Sequence, residues 1–250
     1  MFTCKTATAK EWKTLVKAIT TVVEEATFEA TPETLTFRAM DSSHVALLDV
    51  TWPKGGFEKW ECDKGTKFTV RVVELSKLFA RADAEDSVEI TVSGEDKVNL
   101  KFEGSYPREF TLNLIETTNT PTPLPKLSFN SRFTIEGGQL QKILEDALAV
   151  ADHITLETTT GAVTFNGKSE SGSLQAMLDK NHTNLIDLNV VEPSKSTYSP
   201  DYLIKVVKAL SPEKVTVEYS SKMPLRLETD LSEIGGKIHF YLAPRIENRD

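Results

Sequence analysis

The sequence is poor in the residues that most often carry catalysis, redox chemistry or metal binding. It has two cysteines, Cys4 and Cys62, and four histidines in 250 residues. We interpret both cysteines as small apolar residues of strands in a reducing compartment, without a disulfide framework. The histidines are scattered, with no Cys/His pairing at metal-ligand spacing, and neither common glycine-rich phosphate loop is present. We therefore predict neither a metal nor any other cofactor.

Long apolar runs are also absent. No stretch approaches the ~20 apolar residues that span a bilayer. The N-terminal residues MFTCKTATAKEW lack the apolar region and cleavage site of a signal peptide. The hydrophobic content of 39% and the charged content of 26% are ordinary for a soluble globular protein. We expect no membrane partner and a cytoplasmic location, or a nuclear one in a cell with a nucleus.

Positive charge is in the minority. The chain has 29 lysine and arginine residues against 37 aspartate and glutamate residues, so its formal net charge is −8. A molecule with this charge spread evenly would be repelled by nucleic acid and by anionic membranes. The distribution of the positive charges therefore decides whether the protein can contact such a partner.

The chain contains an internal repeat with an offset of 128 residues. Residues 11–43 align without a gap on residues 139–171, and after one deletion SVEITV (87–92) aligns on KVTVEY (214–219). Each half reads strand, helix, several strands, helix, strands. The apolar stripes of the four helices are as follows: Trp12, Leu15, Val16, Ile19, Val22 and Val23; Leu75, Leu78, Phe79 and Ala82; Leu140, Ile143, Leu144, Ala147 and Ala151; Tyr202, Leu203, Val206, Val207 and Leu210.

These patterns predict an α+β fold of two similar domains. Two helices per half, each apolar on one side, are expected to lie on one face of an antiparallel sheet. The stretch ETTNTPTPLPKL (116–127) has proline at alternate positions, which excludes helix and central strand and favours an extended connector. We predict an N-terminal domain at 1–116, a connector at 117–127 and a C-terminal domain at 128–250.

The polar faces of the predicted helices carry a modest excess of positive charge. Their basic residues are Lys10, Lys13, Lys17, Lys77, Arg81, Lys142, Lys205 and Lys208. Their acidic residues are Glu11, Glu74, Glu145, Asp146 and Asp201. One interpretation is a solvated helix face. The other is loose, sequence-independent contact with phosphates, since an acidic body makes basic helix faces stand out. No aromatic residues lie among these lysines, so a base-stacking surface is not predicted.

The stretch MDSSHV (40–45) places Asp41, two serines and His44 between two apolar segments. It can be interpreted as a Ser-His hydrolase centre or as a polar turn. A triad needs its groups brought together from separate segments, and no Gly-x-Ser-x-Gly elbow is present. We favour the turn; the hydrolase alternative predicts esterase turnover that His44→Ala abolishes.

Two segments, AMDSSHVALL (39–48) and FYLAPRIE (240–247), closely resemble signatures of the sliding clamps of the proliferating cell nuclear antigen (PCNA) type, found in eukaryotes and archaea. The resemblance covers the whole chain and agrees with its length, repeat and connector. It implies three subunits closed into a ring around duplex DNA, with the basic helix faces lining the hole. It also implies a non-enzymatic processivity factor that a clamp loader places on DNA and that tethers DNA polymerase, flap nuclease and DNA ligase. A prokaryotic location would then be nucleoid-associated.

The resemblance also implies two contact surfaces. REFTLNL (108–114) of one subunit would pair with SGSLQAML (171–178) of the next, and the apolar candidates are Phe110, Leu112, Leu174 and Met177. A groove for client peptides with a Gln, an aliphatic residue and two aromatics would be formed by Met40, His44, Val45, Leu47, Leu124, Pro125, Pro224, Tyr241, Leu242, Ala243 and Pro244.

This chain departs from the family pattern at Glu145, where many relatives are basic, and at Leu127, where eukaryotic relatives have an aromatic residue. The first departure weakens the positive field of the ring, and the second implies a different client preference. The alternative to the clamp function is a diverged clamp paralogue that acts as a protein-interaction scaffold or as one subunit of a heterotrimer. For Met40, Val45 and Leu47 the alternative is simple core packing.

Overall fold

A computed structural model describes residues 1–94, 96–116, 122–232 and 234–246. The chain forms two compact units: the first comprises Met1–Pro123 and Asp230–Ile238, and the second comprises Leu124–Thr229 and His239–Asp250. No helix in the described ranges is both long and apolar enough to cross a membrane. Residues 117–121 of the predicted connector lie outside the described residues, so the predicted domain limits remain predictions.

Among the described residues, the first unit contains nine complete strands and two α-helices. The strands are β1 (Phe2–Thr6), β2 (Glu25–Ala30), β3 (Thr34–Met40), β4 (Ala46–Pro53), β5 (Lys59–Cys62), β6 (Thr66–Arg71), β7 (Ser87–Val92), β8 (Lys97–Glu103) and β9 (Arg108–Asn113). The helices are α1 (Lys10–Thr20) and α2 (Val72–Arg81), with one turn of 3₁₀ helix at Lys54–Gly56. An antiparallel sheet has the order β5-β1-β7-β8-β9, and β4-β3-β2-β6 are paired in a second antiparallel layer.

The second unit repeats this order of elements. Its strands are β10 (Ser131–Glu136), β11 (Ile154–Thr158), β12 (Ala162–Lys168), β13 (Ser173–Asp179), β14 (Leu185–Val190), β15 (Ser194–Tyr198), β16 (Lys214–Tyr219), most of β17 (Leu225–Asp230) and the larger part of β18 (Lys237–Leu242). Its helices are α3 (Gly137–Leu148) and α4 (Pro200–Leu210). Strands β13-β12-β11-β15 form one antiparallel sheet, and β14-β10-β16-β17 are paired in another. The predicted fold of two similar halves, each with two helices and antiparallel strands, is confirmed.

The helices end earlier than their apolar stripes predicted. Helix α1 ends at Thr20, so Val22 and Val23 lie in the turn that follows, and Ala151 lies beyond the end of α3. The backbone N–H of Val22 and that of Val23 both bond to the carbonyl of Ile19, which closes the last turn. Apolar side chains just after a helix can still be buried by the turn, so periodicity overestimates helix length at its C-terminus.

The cores of the two units differ in composition. In the first unit Trp12 of α1 packs with its ring centroid 5.1 Å from Trp52 and 5.9 Å from Phe79. In the second unit the buried hydroxyl of Tyr219 bonds to Thr158 Oγ1 at 2.5 Å. Aromatic burial dominates the first core, whereas the second also contains a satisfied buried polar pair.

Both cysteines are free and buried in strands, Cys4 in β1 and Cys62 in β5. Their interpretation as small apolar residues is therefore confirmed. Burial disfavours the thiolate and raises the pKa of both thiols. Neither is an activated nucleophile, because reactive cysteines have a lowered pKa.

Candidate functional site

The loop between β3 and β4 is organised around the carboxylate of Asp41. Oδ1 of Asp41 accepts hydrogen bonds from the backbone N–H of Val45 at 2.8 Å and of Ala46 at 2.7 Å, and Oδ2 accepts one from Ser43 N at 3.3 Å. The backbone N–H of His44 bonds to the carbonyl of Asp41 at 3.0 Å. The aspartate thus closes a turn, which is the usual role of this residue type before a reversal of the chain.

His44 occupies an uncommon backbone conformation in this loop. Its φ is 59°, in the left-handed region that non-glycine residues rarely adopt. Its side chain and those of Ser42 and Ser43 are exposed. The geometry is that of a polar turn that presents three side chains to solvent, and the Asp41 carboxylate that a triad would need for its histidine binds backbone N–H groups.

A cavity of about 990 Å³ lies beside this loop within the first unit. Its lining includes Met40, His44, Thr20–Glu25 and, from the predicted connector, Thr122 and Pro123. Arg38 Nε bonds to Asp49 Oδ1 at 2.7 Å, and Arg38 Nη1 donates to the carbonyl of Thr122 at 3.4 Å. Arg38 therefore holds the described beginning of the connector against strand β3, a role that the sequence analysis did not assign to it.

The predicted groove residues are divided between the two units and differ in exposure. In the first unit Met40 and Val45 are half-buried and His44 is exposed. In the second unit Leu124 is 38% exposed, Pro125, Pro224, Ala243 and Pro244 are half-buried, and Tyr241 is 8% exposed.

Two of the predicted groove residues are buried and do not form part of a contact surface, so their prediction is corrected. Leu47 is 2% exposed and Leu242 is fully buried. Their neighbours in the strands, Leu48 and Tyr241, are buried too, so these strand segments do not alternate between a buried and an exposed face. Leu47 and Leu242 thus belong to the core and support the surface that others present, as the core-packing alternative for Leu47 predicted.

The basic residues of the helices divide into paired and unpaired groups. Lys10 binds Glu85 at 2.6 Å, Lys205 binds Asp201 at 2.6 Å, and Lys208 binds Glu145 at 2.9 Å. Nζ of Lys13 donates to the carbonyl of Ala82 at 2.5 Å. Four predicted DNA-facing residues have neither an ion pair nor a side-chain hydrogen bond within the described ranges: Lys17, Lys77, Arg81 and Lys142. All four are exposed.

The Glu145 departure has a defined structural consequence. Its carboxylate accepts hydrogen bonds from Lys208 and Gln141, and Lys208 is the largest cause of its lowered pKa. Glu145 therefore stays ionised and neutralises Lys208, which weakens the positive field of α3 and α4. In the first unit Lys77 and Arg81 of α2 have no such partner among the described residues.

Two strands lie at the outer edges of their sheets. Strand β9 pairs with β8, and β13 pairs with β12; within the described chain neither has a partner on its other side. In β9 the half-buried residues are Arg108, Phe110 and Leu112, and Phe110 packs on Phe102 with centroids 5.8 Å apart.

In β13 the two predicted interface residues point to opposite faces. Leu174 is half-buried, whereas Met177 is 63% exposed because it lies an odd number of residues along the strand. Unpaired strand edges are templates for another strand. Both edges are therefore available for intermolecular pairing.

A buried ion pair connects the β9 edge to helix α2, and sequence reasoning missed it. Nη2 of Arg108 binds the carboxylate of Asp86, which is 2% exposed, and Nη1 donates to the carbonyl of Arg81 at 2.9 Å. The guanidinium also lies over the rings of Tyr106 and Phe102. No local pattern marks this pairing, since Asp86 and Arg108 are 22 residues apart.

Comparison with known families covers both units. The model described as proliferating cell nuclear antigen, N-terminal domain, matches residues 1–117, and the model of the C-terminal domain of the same antigen matches residues 123–245. These matches confirm the resemblance drawn from the two signature segments.

Relatives match over nearly their full length. A protein named DNA polymerase sliding clamp from Nitrosopumilus maritimus is 44% identical over 249 residues, which is 99% of each chain. One of the same name from Cenarchaeum symbiosum is 43% identical with the same coverage. A DNA polymerase sliding clamp 1 from Thermococcus kodakarensis is 30% identical over 240 residues, or 96% of each chain.

A solved structure is similar throughout the chain. The crystal structure of PCNA from Thermococcus kodakaraensis matches with a TM-score of 0.94, covering 98% of this chain and 100% of that chain, at 23% identity. Similarity at this level of identity establishes the fold, which is the two-domain clamp fold.

Proposed function

The chain belongs to the proliferating cell nuclear antigen family, and we propose that it is a DNA polymerase sliding clamp, a processivity factor without catalytic activity. The observation that carries this proposal is the match of both domain models together with full-length relatives of that name. The diverged-scaffold alternative is not favoured, because relatives named DNA polymerase sliding clamp match over 99% of this chain and 99% of their own length.

The ring would close by strand pairing between copies of the chain. Edge strand β9 of one subunit and edge strand β13 of the next are each unpaired on one side within the described residues. Phe110, Leu112 and Leu174 are half-buried on these strands, and would be further buried in the joint. A head-to-tail contact of this kind gives a closed ring when its rotation completes a circle, here after three copies.

DNA would be held by topology and only weakly by contact. The exposed, unpaired Lys17, Lys77, Arg81 and Lys142 are available for phosphates, whereas Lys208 is neutralised by Glu145. Phosphate contacts through lysine carry no sequence information and weaken with salt. A small number of them allows sliding, since each contact is easily exchanged for the next phosphate.

Clients would bind in the groove formed by the MDSSHV loop, the connector and the C-terminal LAPRIE segment, whose last residue, Glu247, lies outside the described residues. DNA polymerase, flap nuclease and DNA ligase are the proposed clients, and an ATP-driven clamp loader is the proposed loading partner. The proposed location is the cytoplasm, on the nucleoid, in a prokaryote. Met40, Val45 and Pro244 are the half-buried apolar residues available to an inserted plug.

The test combines native mass with polymerase processivity. Light scattering across a dilution series is expected to give a mass near three times 27.8 kDa. Primer extension on a circular template, with clamp loader and ATP, is expected to give longer products with the wild-type chain than with Phe110→Glu. Asn113→Glu, at an exposed position of the same strand, is the matched control. A chain that stays monomeric at all concentrations and does not lengthen the primer-extension products would overturn the homotrimeric clamp. That outcome would favour a heterotrimer subunit or a scaffold.

The helix faces have a separate test on loaded rings. Lys17→Gln with Lys77→Gln is expected to shorten retention on closed circular DNA, whereas Lys205→Gln with Lys208→Gln removes two paired lysines and is expected to have a smaller effect. Equal effects of the two double variants would show that the ion pairs do not govern contact with DNA.

A further inference from the structure

The second unit contains a cavity of about 410 Å³ that the proposed function does not use. It lies where strand β15, the turn between β16 and β17, and the segment after β18 meet. Its charged lining residues are Lys195, Lys222 and Arg245, and none of the described residues that line it is acidic. Three cations around one cavity are notable in a chain with a net charge of −8.

Hydrogen bonds between backbone and side chains hold the three segments in place. Arg245 N donates to the carbonyl of Thr197 at 2.8 Å, and Lys195 N donates to Ser221 Oγ at 3.0 Å. The hydroxyl of Tyr198, whose side chain is buried, donates to the carbonyl of Met223 at 2.7 Å. The cavity is therefore preformed, so a ligand would not have to organise it.

Lys195 and Arg245 can exchange their present carboxylate partners for those of a ligand. Lys195 pairs with Glu157 at 2.5 Å and Arg245 pairs with Asp152 at 3.0 Å, but each side chain of these pairs is between 39% and 77% exposed. Exposed pairs of this kind contribute little to stability, because water and salt screen the attraction between the charges. Lys222 is exposed in the turn between β16 and β17, where its φ is 59°, and it has no ion pair among the described residues.

One further feature defines the ligand. Pro244 and Ile246 form an apolar wall on the same cavity, and Ile246 is 89% exposed.

We propose that this cavity binds an acidic segment of a client peptide, with carboxylates between Lys222 and Arg245 and an apolar stem against Pro244 and Ile246. A guanidinium binds carboxylates in a fork geometry, and an ammonium adds a point charge. The apolar wall favours a peptide over a bare phosphate. The inference rests on the proposed function, because Pro244 belongs both to this cavity and to the proposed client groove, which makes the two surfaces continuous.

The test uses synthetic peptides that share one core, with a Gln, an aliphatic residue and two aromatics. One peptide has three Glu residues before the core, a second has them after it, and a third has Ala at all these positions. Fluorescence anisotropy gives the Kd of each. One acidic peptide is expected to bind wild-type protein ~3–10-fold more tightly than the Ala peptide, since two or three exposed charge pairs each raise the affinity by a small factor. The advantage is expected to decrease as salt is raised.

Variants locate the contact. Lys222→Gln, which lies outside the proposed client groove, is expected to reduce the advantage and leave the Kd of the Ala peptide unchanged. Lys222→Gln with Arg245→Gln is expected to remove the advantage. Lys168→Gln with Lys214→Gln removes the same charge from exposed positions of the second unit outside the cavity, and is expected to preserve the advantage.

The outcomes separate this inference from the proposed function. Equal affinity of all three peptides for wild-type protein, or an advantage that survives Lys222→Gln with Arg245→Gln, would overturn the inference alone. Failure of the Ala peptide to bind would overturn the client groove and the inference with it. Weaker retention of duplex DNA by Lys222→Gln with Arg245→Gln, at unchanged peptide affinities, would assign the cations to phosphates and would also overturn it.

Discussion

The buried pair of Asp86 and Arg108 allows a quantitative prediction about the first unit. Asp86→Ala removes the counter-charge of a guanidinium that is only 13% exposed, and the acceptor of Asp83 N at 2.9 Å. Breaking a buried pair by removing one partner costs about 3–5 kcal/mol, because the remaining charge is left without compensation. We expect the lower end of this range, about 3 kcal/mol, since the slight exposure of Arg108 admits some water.

Gly104 gives an independent test of the same pair. A Cβ atom at Gly104 would lie 1.7 Å from Asp86 Oδ1, so Gly104→Ala must displace the carboxylate. Overpacking of this kind costs about 1–3 kcal/mol. In the Asp86→Ala background the clash is absent, and Gly104→Ala is expected to cost less than about 0.5 kcal/mol or to stabilise slightly by restricting the unfolded chain. The two substitutions are therefore expected to be strongly non-additive.

The assay is urea unfolding followed by tryptophan fluorescence. All three tryptophans, Trp12, Trp52 and Trp60, lie in the first unit, so the signal reports the unfolding of the part that contains the pair. Arg108→Met in the Asp86→Ala background is the matching double variant, and it is expected to recover at least about 1 kcal/mol relative to Asp86→Ala alone. A cost below about 1 kcal/mol for Asp86→Ala, or additive effects with Gly104→Ala, would refute the reasoning.

Three further predictions concern the β3–β4 loop and a surface carboxylate. Asp41→Ala removes the acceptor of three backbone N–H groups and is expected to cost about 2–3 kcal/mol in urea unfolding, whereas Asp41→Asn keeps one acceptor oxygen and is expected to cost about 1 kcal/mol; equal costs would contradict this role. His44→Gly relieves the φ of 59° and is expected to stabilise the chain by up to about 1 kcal/mol, with His44→Ala as the control that retains the strain. Hydrogen bonds from Lys101 and then Lys5 lower the pKa of Glu103 from 4.5 to about 2. The contribution of the Glu103 carboxylate to stability is therefore present above about pH 4.5 and is lost as the pH falls towards about 2. In Lys101→Met with Lys5→Met, NMR titration of the carboxyl group is expected to show that the pKa of Glu103 rises. An unchanged pKa would contradict the assignment to these two lysines.

The order of the elements could be predicted from the sequence because it depends on local patterns. The 128-residue repeat corresponds to matching elements in the two units, and β7 aligns on β16 at the one-residue deletion that the repeat required. Strand alternation and one-sided helices place side chains by a period of 2 or 3.6, which needs no knowledge of the partner surface. The turn at MDSSHV was also predictable, since aspartate before a reversal is a local signal.

The candidate site depended on tertiary structure wherever distant residues meet. Whether a lysine on a helix is free or neutralised is decided by residues far along the chain, as Lys208 and Glu145 show. The same holds for Arg38, which binds the carbonyl of Thr122, 84 residues away.

The sequence by itself thus determined the two-domain α+β architecture, the family and the segments that contain the predicted surfaces. Only the tertiary structure decided which side chains in those segments are accessible: it buries Leu47 and Leu242 and pairs Asp86 with Arg108. The physical reason is that hydrophobic periodicity is a property of neighbouring residues, whereas burial and ion pairing depend on the packing of elements that are distant in the chain.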